Sequence, residues 1–572
     1  MSEPDAVPES FSQQVRSLGG IYWIANWMEL VERFAYYGVR TVLPVFMVLA
    51  ISDGGPELTH VQKGTVYSIW ALVQSFVPIF TGVYADRYGY KINIAISTGL
   101  KIVGYLLMGY CIVLAESLAG QPLAEAREAG TDQTYEIFFA GAMFLALGTA
   151  IFKPGLQGLI AHQMPTKAAS LGWGIFYQMV NIGGFLGPLV AGYLRVLEWE
   201  YVFLCCAIGI ALNFIPLFLF REPPREGEAD ERSPWQLAVG AVEGLLEPRL
   251  FFFTIAFAGF WLMFYQLFDI LPNFIDDWVD SRAAADALQS VLSEDGVPTT
   301  NGGNLTQEWM INLNALLISL FAFLVGYLTG RLRSLTAIVI GIAVSAVAIY
   351  MLGMRMQGWF VLIAIAVFSV GEMMASPTKM RYLAAIAPPG RQGQYMGYVN
   401  MTVGIGWSIG SIVAGELYQE QGDKVVLARR YLIEREGLGV DRIASLDRGD
   451  VMAFFQRAVG VDAWEARELL WNTYEPYSMW LLFTLIGLGS MLLLFVYDRV
   501  TRKAAEEPSF SFNTHGRRWV QAALGPIFVG LVAACVMSFS GALLVQAVMF
   551  GLLLVASFVL PEPEEKDGSA EL

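Results

Sequence analysis

Residues 28–40 read MELVERFAYYGVR, two acids and two arginines set inside an otherwise apolar run over residues 20–50. On a helix, Glu29, Glu32 and Arg33 fall at i, i+3 and i+4, and Tyr36, Tyr37 and Arg40 follow on an overlapping face. Each charged group would cost several kcal/mol facing lipid, so the stripe is expected to face a wet cavity and to pair with other charges. The alternative is an interfacial helix end with snorkelling side chains; Trp23, Trp27 and the continuous apolar flank argue against it.

The rest of the chain supports a membrane reading. Of 572 residues, 55% are hydrophobic and only 15% charged, where a soluble domain has about a quarter charged. Mean hydropathy is +0.51. Fifty-seven glycines suit closely packed membrane helices, and a net charge of −15 excludes nucleic acid as a partner. Cys111, Cys205, Cys206 and Cys535 lie in apolar runs, and His60, His162 and His515 are far apart, so neither a metal nor another cofactor is expected. No cysteine–histidine or serine–histidine arrangement shares a membrane depth, so an enzyme is not expected. The acidic start MSEPDAVPES is unlike a cleaved signal peptide.

Apolar stretches of spanning length predict an all-α polytopic protein with about fourteen spans. Spans 1 to 12 are expected near 20–50, 62–84, 92–115, 135–163, 168–195, 200–220, 250–279, 308–330, 335–354, 358–386, 393–418 and 478–498, and a further hairpin near 519–538 and 541–560. Pro154, Gly183 with Gly184, and Pro377 suggest kinked helices lining a cavity. Basic residues such as Arg87, Lys91, Arg221, Arg331, Arg381 and Arg499 fall on one side if the amino terminus is cytoplasmic, and Glu125, Asp132, Asp276 and Asp280 on the other. The expected organisation is a cytoplasmic tail (1–18), a six-helix bundle (19–220) and a cytoplasmic linker with one amphipathic helix (221–249). A second six-helix bundle follows (250–500, with an outward segment 420–477 that reads as short amphipathic helices, VVLARRYLIEREG and then DVMAFFQRAVG), then the extra hairpin and acidic tail (501–572). The loop GVYADRYGYK after span 2 has a degraded counterpart, GYLTGRLR, after span 8, as expected of duplicated halves.

That first loop, with Gly82, Asp86, Arg87, Gly89 and Lys91, resembles the cytoplasmic gate signature G-x-x-x-D-R-x-G-x-K of the major facilitator superfamily. Span 1 resembles the proton-dependent oligopeptide transporter family of that superfamily, whose first helix carries E-x-x-E-R-F-x-Y-Y-G, matched from Glu29 to Gly38. GTAIFKPGLQG (Lys153), FYQMVNIGGFLGP (Tyr177, Asn181) and GEMMASPTKM (Glu372, Ser376) are similar to its motifs in spans 4, 5 and 10. The resemblance implies a major facilitator fold and proton-coupled import of di- or tripeptides, or peptide-like compounds, by alternating access. It implies proton coupling through Glu29, Glu32 and Arg33, with protons as the coupling ion. The implied substrate site comprises Arg33, Tyr36, Tyr37, Arg40, Lys153, Tyr177, Asn181, Trp261, Tyr265, Asn314, Glu372 and Ser376. A multi-pass inner-membrane protein working as a monomer in the lipid bilayer is expected. From charge alone, cations at one pole and Glu372 at the other suit a short peptide, which is a zwitterion.

Departures fall in the same cavity. FWLMFYQLFD puts Tyr265 where the family's span 7 carries an acid. Asp269, one turn on, could replace that acid as the partner of Arg40, or could mark the membrane interface. Val399 stands for a tryptophan, Ser75 for a tyrosine and Gly155 for an asparagine, changes expected to enlarge or reshape the pocket. Two alternatives therefore stay open: the same fold with another substrate or coupling, or a non-transporting sensor that signals through 420–477.

Overall fold

The computed structural model describes residues 11–222, 233–300, 302–387, 392–506, 516–538 and 540–560. Among these, twelve helical segments are long and apolar enough to cross a membrane. Two further long helices, Gly20–Phe46 and Gln392–Gln421, are more polar and complete the fourteen expected spans. Their polarity is turned inward: Glu29, Glu32, Arg33 and Arg40 on the first, and Thr402, Ser408 and Ser411 on the second, are all buried. Helices suit this setting because every backbone polar group is satisfied within the segment.

Span 4 (Thr134–His162), span 5 (Ala169–Leu197) and span 10 (Gly358–Ile386) each continue as one helix through Pro154, Pro188 and Pro377. Interruptions fall elsewhere. Span 2 changes segment at Val77, before Pro78, and span 7 is divided into Pro248–Phe264, Gln266–Asp269 and Leu271–Trp278. The breaks in span 7 flank Asp269.

Buried apolar side chains form one cluster drawn almost wholly from residues 35–210 and a larger one from residues 245–497. Tight crossings join particular spans. A Cβ on Gly183 would lie 2.4 Å from the Leu30 carbonyl oxygen, and one on Gly187 would lie 2.3 Å from that of Phe34, so spans 1 and 5 touch backbone to backbone. Spans 2 and 11 do the same at Gly64 and Gly415, where a Cβ would lie 2.5 Å from the carbonyl oxygens of Ser411 and His60. Such approach supplies packing between helices where lipid offers no hydrophobic force.

One end of the bundle carries a folded cap. After span 11 come the short helices Lys424–Glu434, Val440–Ala444, Val451–Val459 and Ala463–Tyr474, two more than the amphipathic pattern suggests. Leu427, Leu432, Phe455 and Leu470 are fully buried in the larger cluster. Between spans 7 and 8, the helix Arg282–Leu292 and a two-residue hairpin, Thr299–Thr300 with Asn304–Leu305, lie at the same end. The opposite end carries the linker helix Pro234–Leu245, opened by a Ser233–Gln236 capping box. The extra hairpin, Gly516–Ser538 and Gly541–Val559, packs against spans 7, 11 and 2.

Candidate functional site

A cavity of about 290 Å³ lies between the two groups of spans. Span 1 supplies Arg33, Tyr36, Tyr37 and Arg40 because positions 33, 36, 37 and 40 share one helical face. Span 2 adds Gln74, span 4 Lys153, span 5 Tyr177 and Asn181, span 7 Phe264, Tyr265 and Phe268, span 8 Asn314, and span 10 Glu372. Ten of the twelve substrate residues expected from sequence therefore line one space. Trp261 and Ser376 do not. Trp261 is buried further along span 7, with the Lys379 ammonium 4.3 Å from its ring centre.

Glu29 and Glu32 stand behind this wall and reach the cavity through Arg33. The Arg33 Nε lies 3.0 Å from Glu29 Oε1 in an ion pair, and its Nη2 pairs with Glu32. The other Glu32 oxygen accepts from Lys101 Nζ at 2.5 Å. Lys101 is fully buried on span 3 (Tyr90–Gly109), with its ammonium 4.0 Å from the Phe152 ring centre. Gly148 makes room for it, since a Cβ there would lie 2.7 Å from Lys101 Cγ. The cluster of two acids, one arginine and one lysine is thus neutral when all four are charged, which is how buried charges are tolerated.

Two cavity groups are left over. Among the described residues, no acid comes within 4.0 Å of Lys153, and no base comes within 4.0 Å of Glu372, whose carboxylate accepts from Asn314 Nδ2 at 2.9 Å. Both line the same space.

The roof of the cavity, toward the cap, is held by Asp269. It pairs with Arg40 and accepts from Trp407 Nε1 at 3.0 Å and Ser411 Oγ at 2.7 Å. The Lys63 ammonium donates to the Asp269 carbonyl at 3.1 Å and to Asn273 Oδ1 at 2.6 Å. The Arg40 guanidinium lies 4.1 Å from the Tyr67 ring centre. Tyr265 stacks on Trp407, with centroids 4.4 Å apart and planes 8° apart, so aromatic surface is present although Val399 and Ser75 do not reach the cavity. At Gly155, a Cβ would lie 2.5 Å from Asn93 Oδ1, so an amide from span 3 fills that space.

Further links run from the first group of spans to the second. Arg195 donates to Glu308 at 2.8 Å and reaches Asp276 at 3.5 Å; Gln307 donates to the Thr41 carbonyl at 2.8 Å. Asn312 donates to the Phe185 carbonyl at 2.9 Å. His60 Nε2 lies 3.2 Å from Asp423, which also takes Arg448 at 2.8 Å. Burial alone would raise the Asp423 pKa, but Arg448 and His60 hold it well below the usual carboxylate range. Nearby Asp277 pairs with Lys424 at 3.3 Å and accepts from the Tyr418 hydroxyl at 2.9 Å. Among the described residues, every such side-chain link lies at or beyond the roof. Toward the linker end, Tyr177 is 46% exposed and Trp173 40%. The cavity is closed at the cap end and open at the other.

Sequence reasoning missed Lys63, Lys101, Arg195, Glu308 and Lys379, all buried. For Lys63, Lys101 and Lys379 the signal was the one used for span 1, a charge inside an apolar run; Arg195 and Glu308 stand at span ends, where a charge reads as interfacial. In the expected gate loop, Gly89 has φ +100°, and the Glu222 carboxylate accepts from the backbone N–H of Tyr90 at 2.6 Å and Lys91 at 3.1 Å. Lys91 Nζ donates to the Phe220 carbonyl at 2.9 Å and Arg87 is exposed; the side chain of Asp86, like Gly82, lies outside the described ones.

The sequence pattern of the Major Facilitator Superfamily matches residues 28–278 and 281–426. The peptide transporter YePEPT of Yersinia enterocolitica is 26% identical over 208 residues, 36% of this chain and 36% of that transporter's length. The uncharacterized transporter YclF of Bacillus subtilis is 24% identical over 472 residues, covering 72% of this chain and 90% of its own. The multidrug resistance protein MdtH of Salmonella paratyphi C is 22% identical over 408 residues, covering 71% and 88%. Among solved structures, a POT family transporter in complex with a thioalcohol-conjugated peptide superposes with a TM-score of 0.57 at 15% identity, over 86% of this chain and 99% of that one. A POT family transporter in complex with 5-aminolevulinic acid gives 0.54 at 16% identity, over 80% and 96%.

Proposed function

The chain belongs to the Major Facilitator Superfamily, a multi-pass membrane transporter fold, and from that premise we propose that it imports di- or tripeptides, or peptide-like zwitterions, with protons. The observation that carries this reading is the pair of unpaired charges in one cavity. Among the described residues, Arg33 and Arg40 are already neutralised by acids, whereas Lys153 and Glu372 are not. A ligand with a carboxylate at one end and an ammonium at the other satisfies both at once. The similarity to proteins named for peptide transport, and to structures holding a peptide conjugate and an amino acid derivative, points to the same ligand class.

In this reading the linker end is cytoplasmic, as its basic residues require, and the described state is inward-open. The Glu29–Arg33–Glu32–Lys101 cluster couples protons to substrate: a proton on one carboxylate releases one of the two ion pairs of Arg33, whose side chain also lines the cavity. The cavity is complete within one chain, and the proposed carrier is a monomer in the inner membrane.

The test is thermal stabilisation followed by flux. Ligand binding to the folded state alone raises Tm, by about 2.7 kcal/mol of stability at a hundredfold excess over Kd. Dialanine and trialanine should stabilise the purified protein, and free alanine and nitrate should not. An inward proton gradient should then drive accumulation of dialanine in proteoliposomes. Stabilisation by an unrelated solute with no peptide effect would favour the second reading, a transporter of other compounds, to which Tyr265 in place of an acid and the similarity to MdtH belong. Binding without flux under any gradient would favour a sensor.

A further inference from the structure

The carboxy-terminal hairpin has no acid or base from Trp519 to Leu560, and two glutamines within that stretch. Gln521 is used inside the hairpin, donating to the Ser557 carbonyl at 2.9 Å. Gln546 is not. Its Nε2 reaches out of the hairpin to Ser408 Oγ on span 11 at 2.7 Å and Ser68 Oγ on span 2 at 3.3 Å. The two serine hydroxyls are themselves 2.7 Å apart. Ser68 and Ser408 are fully buried and Gln546 is 2% exposed. A polar triad therefore joins three parts of the chain that are separated by more than a hundred residues each.

Its place matters. Spans 2 and 11 belong to different groups of six and cross one turn away at Gly64 and Ser411, where backbone meets backbone. Trp407, beside Ser408, donates to Asp269 and stacks on Tyr265 above the cavity; Ser411, one turn on, donates to the same carboxylate. The hairpin thus grips the seam at the level of the roof. Apolar contacts seat it there: Ala542 and Leu543 pack with Ile69 and Ile412, and Val520, Leu524 and Phe550 with Phe251 and Ile405.

We propose that Gln546 is a positioning residue of the transport cycle, through which the carboxy-terminal hairpin braces the seam of spans 2 and 11 and holds the cap end closed. The proposal rests on alternating access between the two groups of spans. Opening the cap end separates spans 2 and 11, which breaks the serine–serine bond, and Gln546 cannot follow both hydroxyls. Each opening therefore gives up polar bonds inside the membrane, where no water replaces them. A hairpin without charges from Trp519 onward can ride on the second group of spans, to which most of its contacts belong, and release span 2 alone.

The full-length protein, with its four cysteines replaced, is spin-labelled at exposed Glu125 and Asp286, which lie at the cap end on either side of the seam. The distance distribution is read in proteoliposomes with and without dialanine and a proton gradient. Gln546→Leu should raise the ratio of cap-open to cap-closed populations about three- to tenfold, the scale of one or two interhelical hydrogen bonds. Ser408→Ala should do the same, and the double variant should do no more than either alone, because the three groups act as one unit. Gln521→Leu should leave the distribution unchanged. In dialanine flux, Gln546→Leu should lower the KM measured from the cap side, because the cap-open, binding-competent fraction rises while the cavity itself is untouched. Unchanged populations in both Gln546→Leu and Ser408→Ala, or strictly additive effects, would overturn the brace. If Gln546→Leu fails to assemble, Ser408→Ala with its double-cycle partner Ser68→Ala carries the same comparison. A wild-type protein that never opens at the cap end and carries no flux would instead count against alternating access itself.

Discussion

At the residue scale, the proposed reading assigns recognition to Lys153 and Glu372, because among the described residues the other cavity charges already have partners. A hydrogen bond to a charged group is worth about 1.5–3 kcal/mol, so Lys153→Gln should weaken dialanine binding about ten- to hundredfold while leaving the fold intact. Glu372→Gln should weaken dialanine and spare N-acetyl-dialanine, which lacks the ammonium; titration calorimetry on both ligands reads the difference, and equal losses would move the amine site elsewhere. Which residues face one another was legible wherever a helical period fixed it, as along span 1. It was not legible across spans: Lys101 finds Glu32 only because Gly148 leaves space for its stem, a relation between three segments that no spacing encodes. Asp269 was open to two roles, and the break of span 7 on either side of it turns its carboxylate to Arg40 instead of to the interface.

At the element scale, the cap is tied to span 2 by one carboxylate. Asp423 opens the helix Lys424–Glu434 by accepting from the N–H groups of Val425 and Val426, and takes His60 and Arg448 as well. Its folded pKa lies below the unfolded value of about 3.9, so its contribution to stability is complete above that pH and is lost as pH falls below it. Acidification from pH 6 to pH 3 should therefore lower the Tm of the wild type more steeply than that of Asp423→Asn; parallel curves would mean the bonds add nothing. Sequence reading located every long helix, since lipid enforces length and apolarity. It found two of the four cap helices, because those two carry an amphipathic pattern; Val440–Ala444 is only five residues long and Ala463–Tyr474 depends on the Asp462 capping box more than on periodicity.

At the scale of the whole molecule, the asymmetry of the links between the two groups of spans defines the state. Ion pairs and hydrogen bonds close the cap end, and the side of span 5 that carries Tyr177 is exposed toward the linker end. Tyr177→Cys, in a background lacking the native cysteines, should react with a membrane-impermeant maleimide in inside-out vesicles and not in right-side-out ones; labelling from the cap side at rest would contradict the closed roof. In the proposed cycle the same two leftover charges set the loaded stroke apart from the empty one. With a zwitterion bound, the cavity is electrically satisfied and can shed its water on closing. Emptied, it must either keep water around Lys153 and Glu372 or bring the bare charges together, so the unloaded return is the harder stroke. A carrier of the proposed kind would resist idling: it would turn over most readily with something in its grip, and the charges proposed to recognise the cargo would also penalise running without it.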